Sequence, residues 1–218
     1  MKKYLIFDLD GTLVDSNTIC VGILQEMLIE RGVDRRIDLA ASVSYMSVGG
    51  THMVSALLEE ACHDPVSDLV EFRARYATKT TPRESLYTGV AAGLAHLKDA
   101  GHTLTICSNK PVNLCRKVLD DTGLTSLFCA VVGTEPQLRP KPSPDLLDAT
   151  LAQIGAAPSE CVFIGDSDLD CTVATNAQIP FMFMAYGYAP DGWRPAGAPI
   201  FECFSDLVDH ITCAPTQA

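Results

Sequence analysis

The chain predicts an α/β fold: a parallel sheet with helices on both faces, interrupted early by a helical insertion. Three observations lead there. Short, nearly continuous apolar runs recur at Tyr4 to Leu9, Thr103 to Cys107, Ala130 to Val132, Val162 to Ile164 and Phe181 to Met184, as expected of strands buried on both faces. Segments of helical period follow most of them. Roughly ninety residues separate the first run from the second, far more than the dozen or so that one crossover needs.

Taken in order, Tyr4 to Leu9 opens the sheet. In the long intervening stretch, Ile19, Ile23, Met27 and Glu30, then Val54, Leu57, Leu58 and Ala61, then Leu69, Phe72 and Tyr76 recur at helical spacing, which suggests a set of helices. Residues 16–83 are therefore expected to form an inserted cap, with residues 1–15 and 84–218 as the core. The Asp15 to Ser16 step and Pro82 are the expected hinges. Downstream, Val90, Leu94 and Leu97 share a face before Gly101 stops that helix. Pro111 suits a first helical position, and Val112, Cys115, Val118 and Leu119 carry the next helix to Gly123. Pro144 opens another, which Leu147, Leu151 and Ile154 continue to Gly155.

Composition narrows the partners. With 47% hydrophobic and 20% charged residues the chain is globular. A formal net charge of −11 disfavours nucleic acid or an anionic membrane surface. An anionic substrate then has to be met by local positive charge or a metal. Apolar sequence before Asp8 is too short for a secretory leader, and nothing approaches the length of a membrane span, so a cytoplasmic protein is expected. The nine cysteines form no CxxC pair, which suits reduced, mostly buried thiols better than a disulfide framework. The five histidines show no HxH or HExxH grouping, so a zinc site is not expected.

In open parallel sheets, ligands bind beyond the carboxyl ends of the strands. Asp8 and Asp10 follow the first strand, Ser108, Asn109 and Lys110 the second, Lys141 the third after a Pro-rich loop, and Asp166 and Asp170 the fourth. Three or four carboxylates, a hydroxyl and one or two ammonium groups thus reach one edge. Carboxylate oxygens suit Mg2+, which would offset the repulsion between Asp8 and Asp10 and screen a phosphate dianion. Asp8 is then placed to attack phosphorus, while Asp10 can protonate the leaving oxygen and later deprotonate water. Gly11 permits a tight turn, within which Thr12 can hydrogen-bond. Asp166 and Asp170 are four apart and would share a face on a regular helix.

The segments "FDLDGTLVDS", "SNKP", "RPKPSPDLL" and "GDSDLD" resemble, in order and in strand context, the four motifs of the haloacid dehalogenase superfamily, in its phosphoglycolate phosphatase-like branch. The resemblance implies a Rossmann-like core with an inserted α-helical cap, and Mg2+-dependent hydrolysis of a small phosphorylated metabolite through an aspartyl phosphate. On it, Asp8 is the nucleophile and Asp10 the general acid and base; Ser108, Asn109 and Lys141 bind phosphate. Asp8, Asp166 and the backbone carbonyl of Asp10 hold the metal, and Asp170 holds Lys141 or a metal-bound water. An Asp at position 10 favours transfer that ends on water, since true dehalogenases lack it and the transport ATPases carry Thr there. The rival readings are a sugar phosphomutase using the same intermediate, and a silent phospho-ligand-binding protein, for which loss of Asp8 or Asp10 would be expected. His52, Arg83 and Arg139 are weaker candidates, each with an ordinary structural explanation; Glu135 stands in "VGTEP", where relatives in the resembled family often carry an Asp, and Cys107 and Cys171 read as small buried hydrophobes.

Overall fold

The computed structural model of the chain describes residues 3–190 and 192–213. Its sheet has six parallel strands: β1 (Tyr4–Phe7), β2 (Thr103–Pro111), β3 (Phe128–Thr134), β4 (Cys161–Gly165), β5 (Phe181–Met184) and β6 (Ile200–Phe201), in the spatial order β3-β2-β1-β4-β5-β6. The apolar runs explain the register. Leu5 and Ile6 of β1 lie between Leu104 and Thr105 on one side and Val162 and Phe163 on the other, and all six are buried. Strand order reverses about β1, which places the crevice beyond the carboxyl ends of β1 and β4, where Asp8 and Asp166 follow directly.

The chain divides into two compact units, Met1–Asp15 with Pro82–Ala218, and Ser16–Thr81. The smaller is helical: α1 (Asn17–Glu30), the single turn α2 (Leu39–Ser42), α3 (Gly50–Leu58) and α4 (Pro65–Thr78). Its core joins Ile23, Leu24, Met27 and Leu28 of α1 to Val54 and Leu58 of α3 and Leu69, Phe72 and Tyr76 of α4. Asp64 caps α4 by accepting from the Ser67 amide, with Pro65 in the first helical position. Arg31 donates to the Ala61 carbonyl, Asp68 and Glu71. Its hydrogen bond to Asp68, outweighing burial, holds that carboxyl down at about 2.

In the larger unit the sheet is flanked by α5 (Val90–Asp99), α6 (Val112–Thr122), α7 (Asp145–Ile154), α8 (Asp168–Asn176) and α9 (Phe204–Cys213). One core cluster packs Ile6, Cys107, Val132, Leu146, Leu147, Phe163 and Phe183 together, and Trp193 sits edge-on to Phe183 at 5.2 Å. No helix among the described residues is long and apolar enough to cross a membrane.

Three local expectations are corrected. Strand β2 does not end at Cys107 but continues to Pro111, so "SNKP" is strand rather than loop, with a break in its pairing to β3 between Cys107 and Pro111. Pro111 therefore caps α6 instead of opening it. Asp166 and Asp170 do not share a helical face, because Ser167 caps α8 and leaves Asp166 outside it. The short β6 was not expected, its two residues carrying too little pattern to be read.

The end of β2 is held by close packing against β3. A Cβ on Gly133 would come within 2.4 Å of the Lys110 carbonyl and 2.7 Å of the Val112 amide, both backbone. Gly133→Ala is therefore expected to destabilise the protein by about 3 kcal/mol, read as a lower urea midpoint; an unchanged midpoint would show that this contact does not constrain the strand.

Candidate active site

The turn after β1 is built by backbone bonds from Leu13 and Val14 to the Leu9 carbonyl and from Gly11 to the Val14 carbonyl. Gly11 has φ of +84°, and a Cβ there would lie 2.2 Å from Asp166 Oδ2. Only glycine meets both demands. Beside it, the buried Thr12 hydroxyl donates to Asp166 Oδ1 at 2.8 Å, and the Tyr188 amide donates to Asp166 Oδ2 at 2.7 Å. Thr12 thus reaches across to the β4 loop instead of bonding within its own turn.

Lys141 is buried at the centre. Its ammonium donates to Asp8 Oδ1 at 2.9 Å, to Asp170 Oδ1 at 2.6 Å and to the Cys107 carbonyl at 3.0 Å. Three donors meet three acceptors, so the side chain is fully committed. Burial alone would lower its pKa, but Asp170 and Asp8 outweigh that and hold it above the ordinary lysine value. The other oxygen of Asp170 accepts from the Ser167 hydroxyl and amide at 2.6 and 3.2 Å. The backbone of Lys141 is clamped as well: Asn109 accepts from its amide at 2.6 Å and donates to its carbonyl at 3.1 Å.

Carboxylates outnumber cations here. One oxygen from each of Asp8, Asp166 and Asp170 lies within 4.8 Å of the others. Burial pushes the Asp8 carboxyl up to about 6, with Lys141 pulling it down and Asp170 and Asp10 adding to the rise. Burial, then Asp170 and Asp8, likewise raise Asp166 well above the carboxylate range. Asp10 is partly buried, and both its oxygens accept from Lys110, at 3.0 and 3.1 Å. Ser108 is 2% exposed; its oxygen accepts from the Lys110 amide at 3.4 Å, and its hydroxyl proton has no acceptor among the described residues. Hard oxygen donors around buried, proton-hungry carboxylates fit a divalent cation such as Mg2+. Asp8, Asp166 and Asp170 are the carboxylates that could hold it.

Strands β1, β2 and β4 and the loop before α7 therefore bring Asp8, Asp166, Asp170, Lys141 and Asn109 together, with Asp10 and Ser108 adjoining through Lys110. The Asn109 side chain gives one N–H and its oxygen to Lys141, which leaves its second N–H and its backbone for any contact with phosphate. The weaker candidates have partners of their own: Arg139 pairs with Asp145, Arg83 donates to the Thr122 carbonyl, Glu135 accepts from Gln137, and His52 stacks on Tyr45. Burial pushes the Cys107 thiol up to about 11, so it is no thiolate. Sequence reasoning missed Lys110 as a partner of Asp10 and missed the Tyr188 amide. The first could have been sought in "SNKP", two residues beyond Ser108; the second, a backbone group, left no signal.

The model of the haloacid dehalogenase-like hydrolases matches residues 5–184, which span this entire constellation. The chain belongs to that family. Among curated relatives it is 33% identical over 194 residues to a phosphoglycolate phosphatase of Rhodobacter capsulatus, covering 86% of each chain. It is 32% identical over 221 residues to one of Rhodospirillum rubrum, covering 97% of this chain and 91% of that one. A crystal structure titled as a predicted phosphoglycolate phosphatase from Haemophilus somnus shares the fold at a TM-score of 0.81 and 23% identity, over 96% of this chain and 97% of that one. The protein is a phosphatase of the haloacid dehalogenase-like family.

The raised carboxyls give a pH test. A folded chain that retains protons the unfolded one has lost becomes less stable as pH rises from the ordinary Asp value of 3.8 to the Asp8 value of about 6. A cation replacing those protons reverses the loss. Mg2+ is therefore expected to raise the Tm more at about pH 7.5 than at about pH 5; an equal rise at both would separate the cation from these carboxyls.

Proposed function

We propose that this phosphatase hydrolyses a small organic phosphate, phosphoglycolate being the leading candidate, through a phosphorylated Asp8. The observation that carries the reading is the Lys141 ammonium bridging Asp8 and Asp170 beside Asp166. Identity of about a third with relatives named phosphoglycolate phosphatase supports the substrate class. All nine cysteines are free thiols, which supports a reducing compartment, the cytoplasm. The helical unit Ser16–Thr81, two residues shorter than the expected 16–83, is the proposed cap.

In this mechanism the Asp8 oxygen not bonded to Lys141 attacks phosphorus, and the bond to the ester oxygen breaks. Asp10 gives that oxygen its proton. The Ser108 hydroxyl and Asn109 donate to the phosphoryl oxygens, whose charge grows in the transition state, and the Lys141 ammonium, its donors held by Asp8, Asp170 and Cys107, supplies positive charge beside them. Asp10, now a base, takes a proton from water as it attacks the phosphorus, and inorganic phosphate leaves Asp8 free. A bound Mg2+, held by Asp8, Asp166 and the Asp10 carbonyl, would supply neutralising charge for the carboxylates and the incoming dianion.

Turnover of an aryl phosphate should require Mg2+ and fall to background in Asp8→Asn, with inorganic phosphate released in step with alcohol. Metal-independent turnover, full activity in that variant, or transfer to a second hydroxyl without phosphate release would contradict the reading. Asp10→Asn is expected to lose about 10²- to 10⁴-fold in kcat on an alkyl ester while still binding the cation; unchanged kcat would remove its acid and base role.

A further inference from the structure

Each oxygen of Asp166 accepts from a donor that the segment after β5, residues 186–188, holds in place. The Thr12 hydroxyl donates to Oδ1 at 2.8 Å and the Tyr188 amide to Oδ2 at 2.7 Å. Tyr186 fixes the first of these donors, its hydroxyl donating to the Thr12 carbonyl at 2.7 Å. The second is fixed through its own side chain: the Tyr188 hydroxyl donates to Asp15 Oδ1 at 2.9 Å. Gly187 lets the segment lie flat on the carboxylate, since a Cβ there would come within 2.3 Å of the Asp166 Cβ and 2.4 Å of its Oδ2. We propose that Tyr188 is a positioning residue for the cation site, its hydroxyl anchored on Asp15 so that its amide keeps the Asp166 carboxylate aimed at the ion.

The proposal rests on the reading of Asp166 as a cation ligand and deepens it. One hydrogen bond on each oxygen leaves each a further lone pair, so the carboxylate is held without being used up. Holding it matters, because an oxygen from each of Asp8 and Asp170 lies within 4.8 Å of one of its own. A free carboxylate would turn away from those like charges, and an arriving cation would have to order it again. Tyr188 is 3% exposed, so its hydroxyl has no bulk water to take in place of Asp15. The far end of this chain of bonds is firm. Asp15 closes the segment that leads into the smaller unit, and that segment is paired with the returning one. Its amide donates to the Ser85 carbonyl at 2.8 Å, the Tyr87 amide donates to the Leu13 carbonyl at 3.1 Å, and Val14 and Leu86 are bridged between them. Tyr87 in turn stacks on Tyr186, ring centres 4.3 Å apart, and hydrogen-bonds Tyr188. Asp166 is thus braced against two paired segments.

The test measures Mg2+ affinity by isothermal titration calorimetry. Tyr188→Phe, which removes the hydroxyl alone, is expected to weaken Mg2+ binding about 10-fold, the low end of what losing a partner behind a metal ligand costs. Asp15→Ala should weaken it as much, and the double variant no more than either single one. Asp15→Asn removes the charge but keeps an oxygen acceptor, and should retain most of the affinity. A merely structural role would lower the Tm and leave the Kd for Mg2+ where it was; that result in Tyr188→Phe would overturn the proposal. So would an equal loss in Asp15→Asn and Asp15→Ala, which would assign the effect to charge. The wild type decides the matter without variants: Mg2+ should slow hydrogen exchange in peptides covering residues 13–15, 85–87 and 186–188, and slowing confined to residues 8–12 and 164–170 would overturn it too. A wild type that binds Mg2+ while the variants match it sinks this inference alone, whereas one that binds no Mg2+ sinks the underlying reading with it.

Discussion

One buried ammonium among buried carboxylates is the constraint on which the rest of the site depends. Unit charges about 4 Å apart repel by on the order of 4 kcal/mol at an effective dielectric of 20. Asp8, Asp166 and Asp170 crowd to about that separation, and Lys141 is the one cation among the described residues that bridges two of them. Removing one partner from such a buried pair costs about 3–5 kcal/mol, because the other is left desolvated and unpaired. The deficit of positive charge that remains is expressed in the raised carboxyls of Asp8 and Asp166. It disposes the site towards whatever cation can enter.

The sheet order explains how four distant segments meet that constraint. With β1 between β2 and β4, Asp8 emerges beside Cys107, whose carbonyl holds Lys141, and beside Asp166. Close backbone approach does the rest. Gly11 lets the β1 turn lie against Asp166, and Gly133 lets the end of β2 lie against β3. Asn109 fixes the loop that carries Lys141, and Ser167 fixes Asp170 at the start of α8. Each polar group is thus positioned by another polar group that is itself anchored to the sheet, and the buried Phe163 ring of β4 lies against the Lys141 ammonium, 5.3 Å from Nζ to the ring centre.

Much of this was legible in the sequence, for physical reasons. Strands buried on both faces leave continuous apolar runs, so β1, β4 and β5 were readable, and Gly123 and Gly155 marked the ends of α6 and α7 through their left-handed backbone. The acidic and basic residues at strand ends were readable because a parallel sheet collects such positions on one edge. What escaped was information held in tertiary contact. Whether Thr12 bonds within its turn or to Asp166, and whether the Asn109 amide faces a ligand or Lys141, depends on neighbours more than thirty residues away or on the break in β2 pairing. The i,i+4 argument for Asp166 and Asp170 failed because a serine cap moved the helix start.

Membership of the haloacid dehalogenase-like hydrolases is shown by the family match, and the chemistry is proposed to take place around Lys141. The central claim is narrower: the excess of buried carboxylate at Asp8 and Asp166 exists to bind a divalent cation. A crystal grown with Mn2+ and measured for its anomalous signal tests this most directly. The account requires a single strong peak about 2.1 Å from an oxygen of each of these two carboxylates. A peak elsewhere, or none at saturating Mn2+, would contradict it.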